Sequence, residues 1–244
     1  MIDALREIST YSTQSLGFSL VKITGTDKST EVDTIADDQS VVLKSTFNVP
    51  IADFEGVFGL PNLDRLNTIL NIPEYAENAT LTMIRQTREG VDIPMGINFT
   101  NATGDFINDY RLMSAEIVTS KLPTPKFNGV KWNVSINPSI QSMQRLKFQS
   151  MAAGTEETVF TAKVDKTDLK FYIGDHSTHA GNFVFEHGVK GTLTTPRQWP
   201  LKQTISILQL AGDKQMDISD DGAMRIRIDS GLATHDYILL AKSK

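Results

Sequence analysis

Short runs in which apolar and polar residues alternate occupy most of this chain. Alternation with a period of two, bounded by Gly, Asp and Asn, is typical of β-strands that bury one face. The predicted strands are Leu16–Ile23, Ser40–Pro50, Ala79–Gln86, Val91–Phe99, Phe106–Ile117, Thr158–Val164, Leu169–Gly174, Asn182–His187, Gly191–Thr195, Gln215–Ser219, Met224–Asp229 and His235–Ala241. The pattern therefore predicts a protein that is rich in β-sheet.

Four segments instead carry apolar residues at helical spacing. They are residues 2–13, Leu60–Ile72, a helix from Asn137 to Gly154, and one that starts near Pro200 and ends at Gly212. Asn62 and Asn137 are the predicted N-caps of the second and third helices, and Pro73 stops the second. Pro138 in the first turn and Gly154 just past the end complete the signals of the third helix.

The two halves of the sequence repeat each other at a constant offset of 138 residues. The matched positions are Ile2, Leu5 and Ile8 with Ile140, Met143 and Leu146, Leu63 and Leu70 with Leu201 and Leu208, and Phe47 with Phe185. Loops of unequal length in unrelated segments would break a constant offset. The repeat predicts one helix–sheet–helix–sheet unit that is built twice. Chance matching of common apolar residues is the alternative.

The repeat divides the chain into two domains of a size that can each bury a core. We expect an N-terminal domain at residues 1–115, a connector at 116–127 that contains Pro123 and Pro125, and a C-terminal domain at 128–244. Residues 1–110 carry a net charge of −9 and residues 111–244 a net charge of +4. Such asymmetry is typical of nucleic-acid contact or of electrostatic pairing with a partner.

Composition and motifs argue against several function classes. The 244 residues contain no cysteine, and neither a basic leader nor an apolar stretch of membrane-spanning length is visible, so we expect an intracellular protein with no membrane partner. His176 and His179 could suggest a metal site, but their spacing falls in a predicted turn, so no metal or cofactor is expected. Because no phosphate-binding loop or nucleophile motif is present, we do not expect an enzyme.

With these elements in order, three segments make the sequence resemble the DNA polymerase sliding clamps, and the resemblance covers almost the whole chain. They are FNVPIADFEGVFGL, SIQSMQRLKFQSM and AMRIRIDSGLATHDYILLAK. The sequence is most similar to the two-domain clamps of large tailed bacteriophages, and more distantly to proliferating cell nuclear antigen. A phage origin would place the protein in the cytoplasm of an infected bacterial host.

The resemblance implies an α+β fold of duplicated clamp domains, with inner helices packed against outer antiparallel sheets. It implies a homotrimer in which subunits join head to tail into a ring around duplex DNA, without sequence preference. Such a ring tethers a replicative DNA polymerase as a processivity factor, and an ATP-driven clamp loader places it on DNA.

Helical-wheel positions then identify the cations that would face DNA. The third helix places Ile140, Met143, Leu146 and Met151 on one side and Gln141, Arg145 and Gln149 on the other. The predicted DNA-facing residues are Arg6, Arg65, Arg145, Lys147 and Lys202. Lys147 lies nearer the apolar side and would have to extend its charge past it. Ordinary solvated surface charge is the alternative for each of these residues, and we expect weak, salt-sensitive contacts.

The resemblance also implies a subunit joint between two edge strands. One edge would lie around Phe106–Arg111 and the other around Gly181–Phe185 of the next subunit. The interface residues are Phe106, Asn108, Asp109, Arg111, Asn182 and Val184. Polar residues on both edges predict a modest interface that can be opened.

Clamp partners insert a short apolar tail between the connector and the C-terminal strand. The corresponding residues here are Ile117, Val118, Leu122, Pro123, Leu232, Tyr237 and Leu239. The alternative is that they fill the core of their own domain. For the whole protein, the alternative function is a β-rich viral structural or assembly protein whose duplication serves subunit packing.

Overall fold

The computed structural model describes residues 1–88, 90–123, 129–174 and 180–242. They form two compact units. The first comprises Met1–Gln39, Leu43–Pro125 and Gly231–His235, and the second comprises Ser40–Val42, Lys126–Ser230 and Asp236–Lys244. No described helix is long and apolar enough to cross a membrane.

Among its described residues, the first half of the chain supplies three helices and eight strands. The helices are α1 (Ile2–Tyr11), α2 (Leu63–Leu70) and α3 (Ala115–Lys121). The strands are β1 (Leu20–Gly25), β2 (Thr30–Ile35), β3 (Val41–Phe47), β4 (Gly56–Pro61), β5 (Thr80–Arg88), β6 (Val91–Thr100), β7 (Ile107–Arg111) and β8 (Met113–Ser114). Short 3₁₀ turns occur at Gln14–Leu16, Ala52–Phe54 and Pro73–Tyr75.

The second half supplies two helices and eight strands among the described residues. The helices are α4 (Ile140–Ala153) and α5 (Leu201–Leu208). The strands are β9 (Val134–Ile136), β10 (Val159–Asp165), β11 (Asp168–Ile173), β12 (Gly181–Glu186), β13 (Arg197–Pro200), β14 (Asp213–Ile218), β15 (Ala223–Asp229) and β16 (Ala233–Leu240).

The duplication is confirmed by the order and pairing of these elements. From α1 to β7, and again from α4 to β16, one helix precedes four strands, a second helix and three strands. The strand order β4-β1-β2-β3 in one half recurs as β13-β10-β11-β12 in the other. Adding 138 to the bounds of α2 gives the bounds of α5. The pairs described strand by strand are antiparallel, so this is an α+β fold of duplicated domains, as predicted.

In each unit two helices pack against each other and cover apolar side chains. α1 contacts α2 in the first unit, where Leu5 and Leu66 are fully buried. α4 contacts α5 in the second unit, and α4 also packs on β11 and β12. There Phe171 stacks on Phe185, with the ring centroids 4.2 Å apart. Helix amphipathicity and the inward face of each sheet thus build one core per unit.

Several predicted boundaries are wrong. Phe106–Ile117 is not one strand, because it contains β7, β8 and the start of α3, and the predicted connector is helical up to Lys121. No strand forms at Gly191–Thr195, where Gly191 has a φ of +98°. β2, β4, the short β9 and β13 were not predicted. The predicted helix Leu60–Ile72 is shorter, since Leu60 and Pro61 end β4.

The predicted N-cap of α4 is also wrong. Ser139, not Asn137, is the N-cap, and its Oγ accepts a hydrogen bond from the Ser142 backbone N–H at 3.0 Å. Gly154 ends the helix with a φ of +85°, as the sequence predicted. Asn62 does stand at the N-cap of α2, in a left-handed conformation and without a side-chain capping bond.

We therefore predict that Ser139→Ala lowers the free energy of unfolding by about 1 kcal/mol, because an orphan helix N–H loses its acceptor. Asn137→Ala is the matched control, and its effect should stay within about 0.5 kcal/mol. Chemical denaturation of both variants measures the difference. Equal effects would contradict the assignment of Ser139 as the cap.

Candidate nucleic-acid and partner interfaces

The predicted cations of the first unit lie on the exposed sides of its two main helices. Arg6 on α1 and Arg65 on α2 are exposed. Their acidic neighbours Asp3 and Asp64 are exposed as well. Glu7 differs, because its Oε1 lies 2.9 Å from Nε2 of the buried His235. One carboxylate of α1 is thereby engaged away from solvent.

Arg65 lies close to strand β7. The Tyr110 hydroxyl of β7 donates a hydrogen bond to the carbonyl of Pro61, two residues before α2 begins. This contact places the first turn of α2 beside β7. Burial raises the pKa of Tyr110 strongly, and the positive charge of Arg65 opposes that rise. Arg65 therefore belongs to the surface that borders the β7 edge.

In the second unit Arg145 and Lys147 on α4 and Lys202 on α5 are all exposed. The predicted apolar side of α4 is wrong in part, because Ile140 and Met151 are 72% and 70% exposed. The side that is buried carries Ser142, Leu146 and Ala153. The sequence pattern was misleading because the small residues Ser142 and Ala153 are buried, whereas the large residues Ile140 and Met151 are not.

Arg145 also lies near a sheet edge. A Cβ added to Gly181 of β12 would lie 1.7 Å from the Gln149 side-chain nitrogen, so α4 rests directly on this end of β12. Arg145 is four residues before Gln149 and thus on the same side of the helix. Phe148, which the sequence analysis did not select, is 65% exposed on this helix.

Strands β7 and β12 are terminal strands in their sheets. Among the described residues, the orders are β5-β6-β7 and β12-β11-β10-β13. The backbone groups on one side of each strand therefore have no strand partner within the described part of the chain. Terminal strands of this kind are templates for pairing with another chain. Both segments predicted for a subunit joint are thus sheet edges.

The polar side chains on β7 are partly engaged within the unit. Asn108 is half-buried and donates to the Tyr75 hydroxyl at 2.8 Å. Asp109 is exposed and accepts from Asn98 at 2.8 Å. Arg111 is exposed and lines a 260 Å³ cavity beside the strand.

Apolar side chains add to the surface of this edge. Phe106 and Ile107 are 39% and 57% exposed. On β12, Asn182 is exposed and Val184 is half-buried. The β7 edge therefore combines satisfied polar groups with exposed apolar area.

The residues predicted for a partner pocket separate into two groups. Val118, Leu122, Tyr237 and Leu239 are buried, and Val118 and Leu122 pack with Leu20. They serve the core, which was the alternative reading of the sequence. Ile117, Leu232 and Pro123 are exposed, the first two at 48% and 50%.

One further exposed apolar residue, which the sequence pattern did not indicate, lies beside Leu232. Val49 is 69% exposed and follows Asn48. The backbone N–H of Asn48 donates to the Leu232 carbonyl at 2.9 Å, and its side chain donates to the Gly231 carbonyl at 2.9 Å. Because Asn48 ties the two segments together, Val49 and Leu232 lie on adjacent stretches of backbone. We call Val49, Ile117, Pro123 and Leu232 the exposed apolar group.

The possible metal-binding histidines, His176 and His179, lie outside the described residues. Within the described ranges, no group of three or more His, Cys, Asp and Glu side chains could hold a metal ion. His187 contacts Asp168 at 2.9 Å, but it is largely exposed. The expectation that the chain is not an enzyme stays a prediction.

The fold is that of sliding clamps. Proliferating cell nuclear antigen (PCNA) from Entamoeba histolytica is similar with a TM-score of 0.69 and 12% identity, over 98% of this chain and 96% of that one. PCNA from A. fulgidus, bound to the C-terminal region of FEN-1, is similar with a TM-score of 0.68 and 13% identity, over 100% of this chain and 96% of that one. PCNA from Thermococcus kodakaraensis is similar with a TM-score of 0.67 and 12% identity, over 98% of this chain and 97% of that one. No protein-family model and no curated protein matches the chain.

The two groups of pocket residues predict opposite responses to mutation. Leu122→Ser and Leu239→Ser should each lower the free energy of unfolding by about 2–5 kcal/mol, because each leaves a cavity in a core. Ile117→Ser and Leu232→Ser should change it by less than about 0.5 kcal/mol. Denaturant titration of all four variants measures this, and stable Leu122 and Leu239 variants would show that the assigned burial is wrong.

Proposed function

We propose that this protein is a ring-shaped sliding clamp, in which three chains join head to tail around duplex DNA and tether a DNA polymerase. The observation that carries the proposal is that β7 and β12 are terminal strands in the sheets of the described residues. β7 and β12 are the repeat counterparts of β16 and β3, and β3 and β16 are hydrogen-bonded neighbours. The pairing of β3 with β16 is therefore the kind of strand pairing that the proposed ring would repeat between subunits.

The backbone bonds of that joint support the analogy. In the first unit the Asn48 N–H donates to the Leu232 carbonyl at 2.9 Å. In the second unit the Leu240 N–H donates to the Ser40 carbonyl at 3.2 Å. A joint between β7 and β12 of different chains would satisfy the same kind of groups. Such a contact joins two different surfaces, so it generates a closed ring when the rotation between subunits suits.

Exposed apolar residues at the proposed joint would favour association of the subunits. Phe106 and Ile107 stand at the β7 edge, and Phe148 stands on α4, which backs β12. Burying such side chains contributes roughly 25 cal/mol for each Å² of apolar surface removed from water. The net charges of −9 and +4 on the two parts of the sequence favour head-to-tail contact over contact between identical surfaces.

The exposed cations on α1, α2, α4 and α5 are the proposed contacts to DNA phosphates. The whole chain is acidic, with a net charge of −5, so a general attraction to DNA would be weak. A few cations confined to the helix surfaces would give contacts that are independent of sequence and sensitive to salt. Such weak contacts suit a protein that must slide rather than grip.

The exposed apolar group is the proposed docking surface for the polymerase and for an ATP-driven loader. The A. fulgidus relative is described in complex with the C-terminal region of a partner protein, which supports docking by a tail. A few apolar anchors would supply most of the binding energy of such a tail. If the phage resemblance holds, the ring would act in the cytoplasm of an infected bacterial host.

The central proposal is tested by comparing how long the protein stays on circular and on linear DNA. The protein is loaded by a clamp loader onto nicked circular DNA, and free protein is removed. A ring should stay on the closed circle and leave soon after the DNA is cut to a linear form. Equal retention on both forms, or no retention on either, contradicts encirclement.

The joint predicts that Ile107→Glu gives monomers, because a carboxylate would be buried against an apolar surface without a partner. Light scattering should report about 27.0 kDa for this variant, compared with about three times 27.0 kDa for the wild type. Val91→Glu is the matched control, since Val91 is 62% exposed on β6 but away from β7. Trimers of Ile107→Glu would place the joint elsewhere.

The DNA contacts predict a selective effect of charge reversal. Arg145→Glu with Lys202→Glu should leave the trimer mass unchanged and shorten retention on circular DNA, most at higher salt. The salt dependence should lose about one unit of slope for each phosphate contact removed. Lys163→Glu with Lys166→Glu makes the same change of charge on exposed residues of the β10–β11 hairpin and should have little effect. Equal losses in both double variants would indicate a general charge effect and refute specific helix contacts.

A further inference from the structure

Helix α3 sits in a fitted recess on the sheet of the first unit. The recess exists because residue 59 on β4 is glycine, where an added Cβ would lie 2.9 Å from Cγ2 of Val118 and 3.0 Å from Cβ of Met113. Leu122, just past the helix, packs with Leu20 and Val118 in one buried cluster. Apolar contacts of this kind hold the helix on the sheet but are not directional.

A buried lysine supplies the directional contact. Lys22 on β1 is 5% exposed, and its Nζ lies 3.4 Å from a carboxylate oxygen of Asp33, its cross-strand neighbour on β2. The same Nζ donates to the backbone carbonyl of Leu122 at 3.5 Å. Carbonyl groups at the end of a helix lack partners within the helix and carry the negative end of its dipole. A cation at this position therefore stabilises the end of α3.

Stability of the sheet alone does not account for this arrangement. A buried ion pair can often be replaced by apolar residues of similar volume with no loss of stability, because the desolvation of both charges offsets their attraction. An apolar pair at residues 22 and 33 would fill the same space. It could not bond the Leu122 carbonyl, a contact by which Lys22 reaches outside β1 and β2.

We propose that Lys22 is a positioning residue that fixes the end of α3 on the sheet, and so fixes the backbone that presents Ile117 and Pro123. The Leu122 N–H bonds the Val118 carbonyl at 2.8 Å, so holding the Leu122 carbonyl also holds the last turn of the helix. That Ile117 and Pro123 receive a partner rests on the proposed function. The anchoring of α3 does not depend on it.

The test removes the anchor without leaving a charge buried alone. Lys22→Met combined with Asp33→Val should keep a free energy of unfolding close to that of the wild type. In the same variant, hydrogen exchange at the amides of residues 118–122 should become about tenfold faster or more, as expected for loss of a bond from a charged donor. Lys22→Arg, which keeps a charged donor, should keep the slow exchange.

The exposed pair Lys44 and Glu31, 3.2 Å apart, provides the matched control, because Glu31 lies on β2 like Asp33. Lys44→Met with Glu31→Val should not change exchange in α3. If the first double variant does not fold, Asp33→Asn replaces Asp33→Val, since it keeps the volume of residue 33. Wild-type exchange at residues 118–122 in a folded double variant overturns the proposal. Retention on circular DNA, measured on the same proteins, tests the clamp function separately.

Discussion

Backbone pairing at the edges of β-sheets is the interaction on which the rest of this structure depends. A terminal strand exposes N–H and carbonyl groups, and these groups either face water or pair with another strand. The chain resolves this for β3 and β16, which are neighbours, and leaves β7 and β12 as ends among the described strands. Other described strands are also terminal, but β7 and β12 are the repeat counterparts of β16 and β3, which pair with each other.

Helix α4 packs on its sheet through small residues and leaves larger side chains exposed. α4 buries Ser142, Leu146 and Ala153 and leaves the larger Ile140, Phe148 and Met151 exposed. A helix that buries small residues approaches its sheet closely, as the contact between Gln149 and Gly181 shows. The large apolar side chains and the cations Arg145 and Lys147 then remain exposed on this helix. One helix can therefore contribute to packing, to a sheet edge and to a cationic surface.

Sequence reasoning identified the elements whose signals are local. Leu63–Leu70 and Leu201–Leu208 keep the predicted offset because apolar spacing and flanking proline define both helices. It failed where distant contacts decide the structure. β2 was missed because Asp33, polar and at a buried position, breaks the expected alternation until Lys22 is seen beside it. Helix α3 was read as a connector because the recess at Gly59, far away in sequence, is what accommodates Val118.

The same distinction applies to the candidate interfaces. Exposure of the five predicted cations could be anticipated, since charged residues rarely lie buried without a partner. Which of the predicted pocket residues are buried and which are exposed could not be anticipated, because Leu122 and Ile117 have similar chemistry. Only the position of α3 on the sheet shows that Leu122 is core and Ile117 is surface. Val49 was missed for a related reason, since Asn48 brings it next to Leu232 through bonds between segments far apart in sequence.

The buried contacts of His235 show why the first unit needs residues 231–235. Its imidazole stacks on Tyr11 at 3.9 Å, and its two nitrogens lie 2.8 Å from Ser45 Oγ and 2.9 Å from Glu7 Oε1. Residues 231–235 belong to the first unit, although more than a hundred residues of the second unit precede them. Without them the hydroxyl of Ser45 and one face of Tyr11 would lose their partners, and buried polar groups without partners are costly. The packing of the first unit is therefore complete only when residues 231–235, which include the start of β16, are in place.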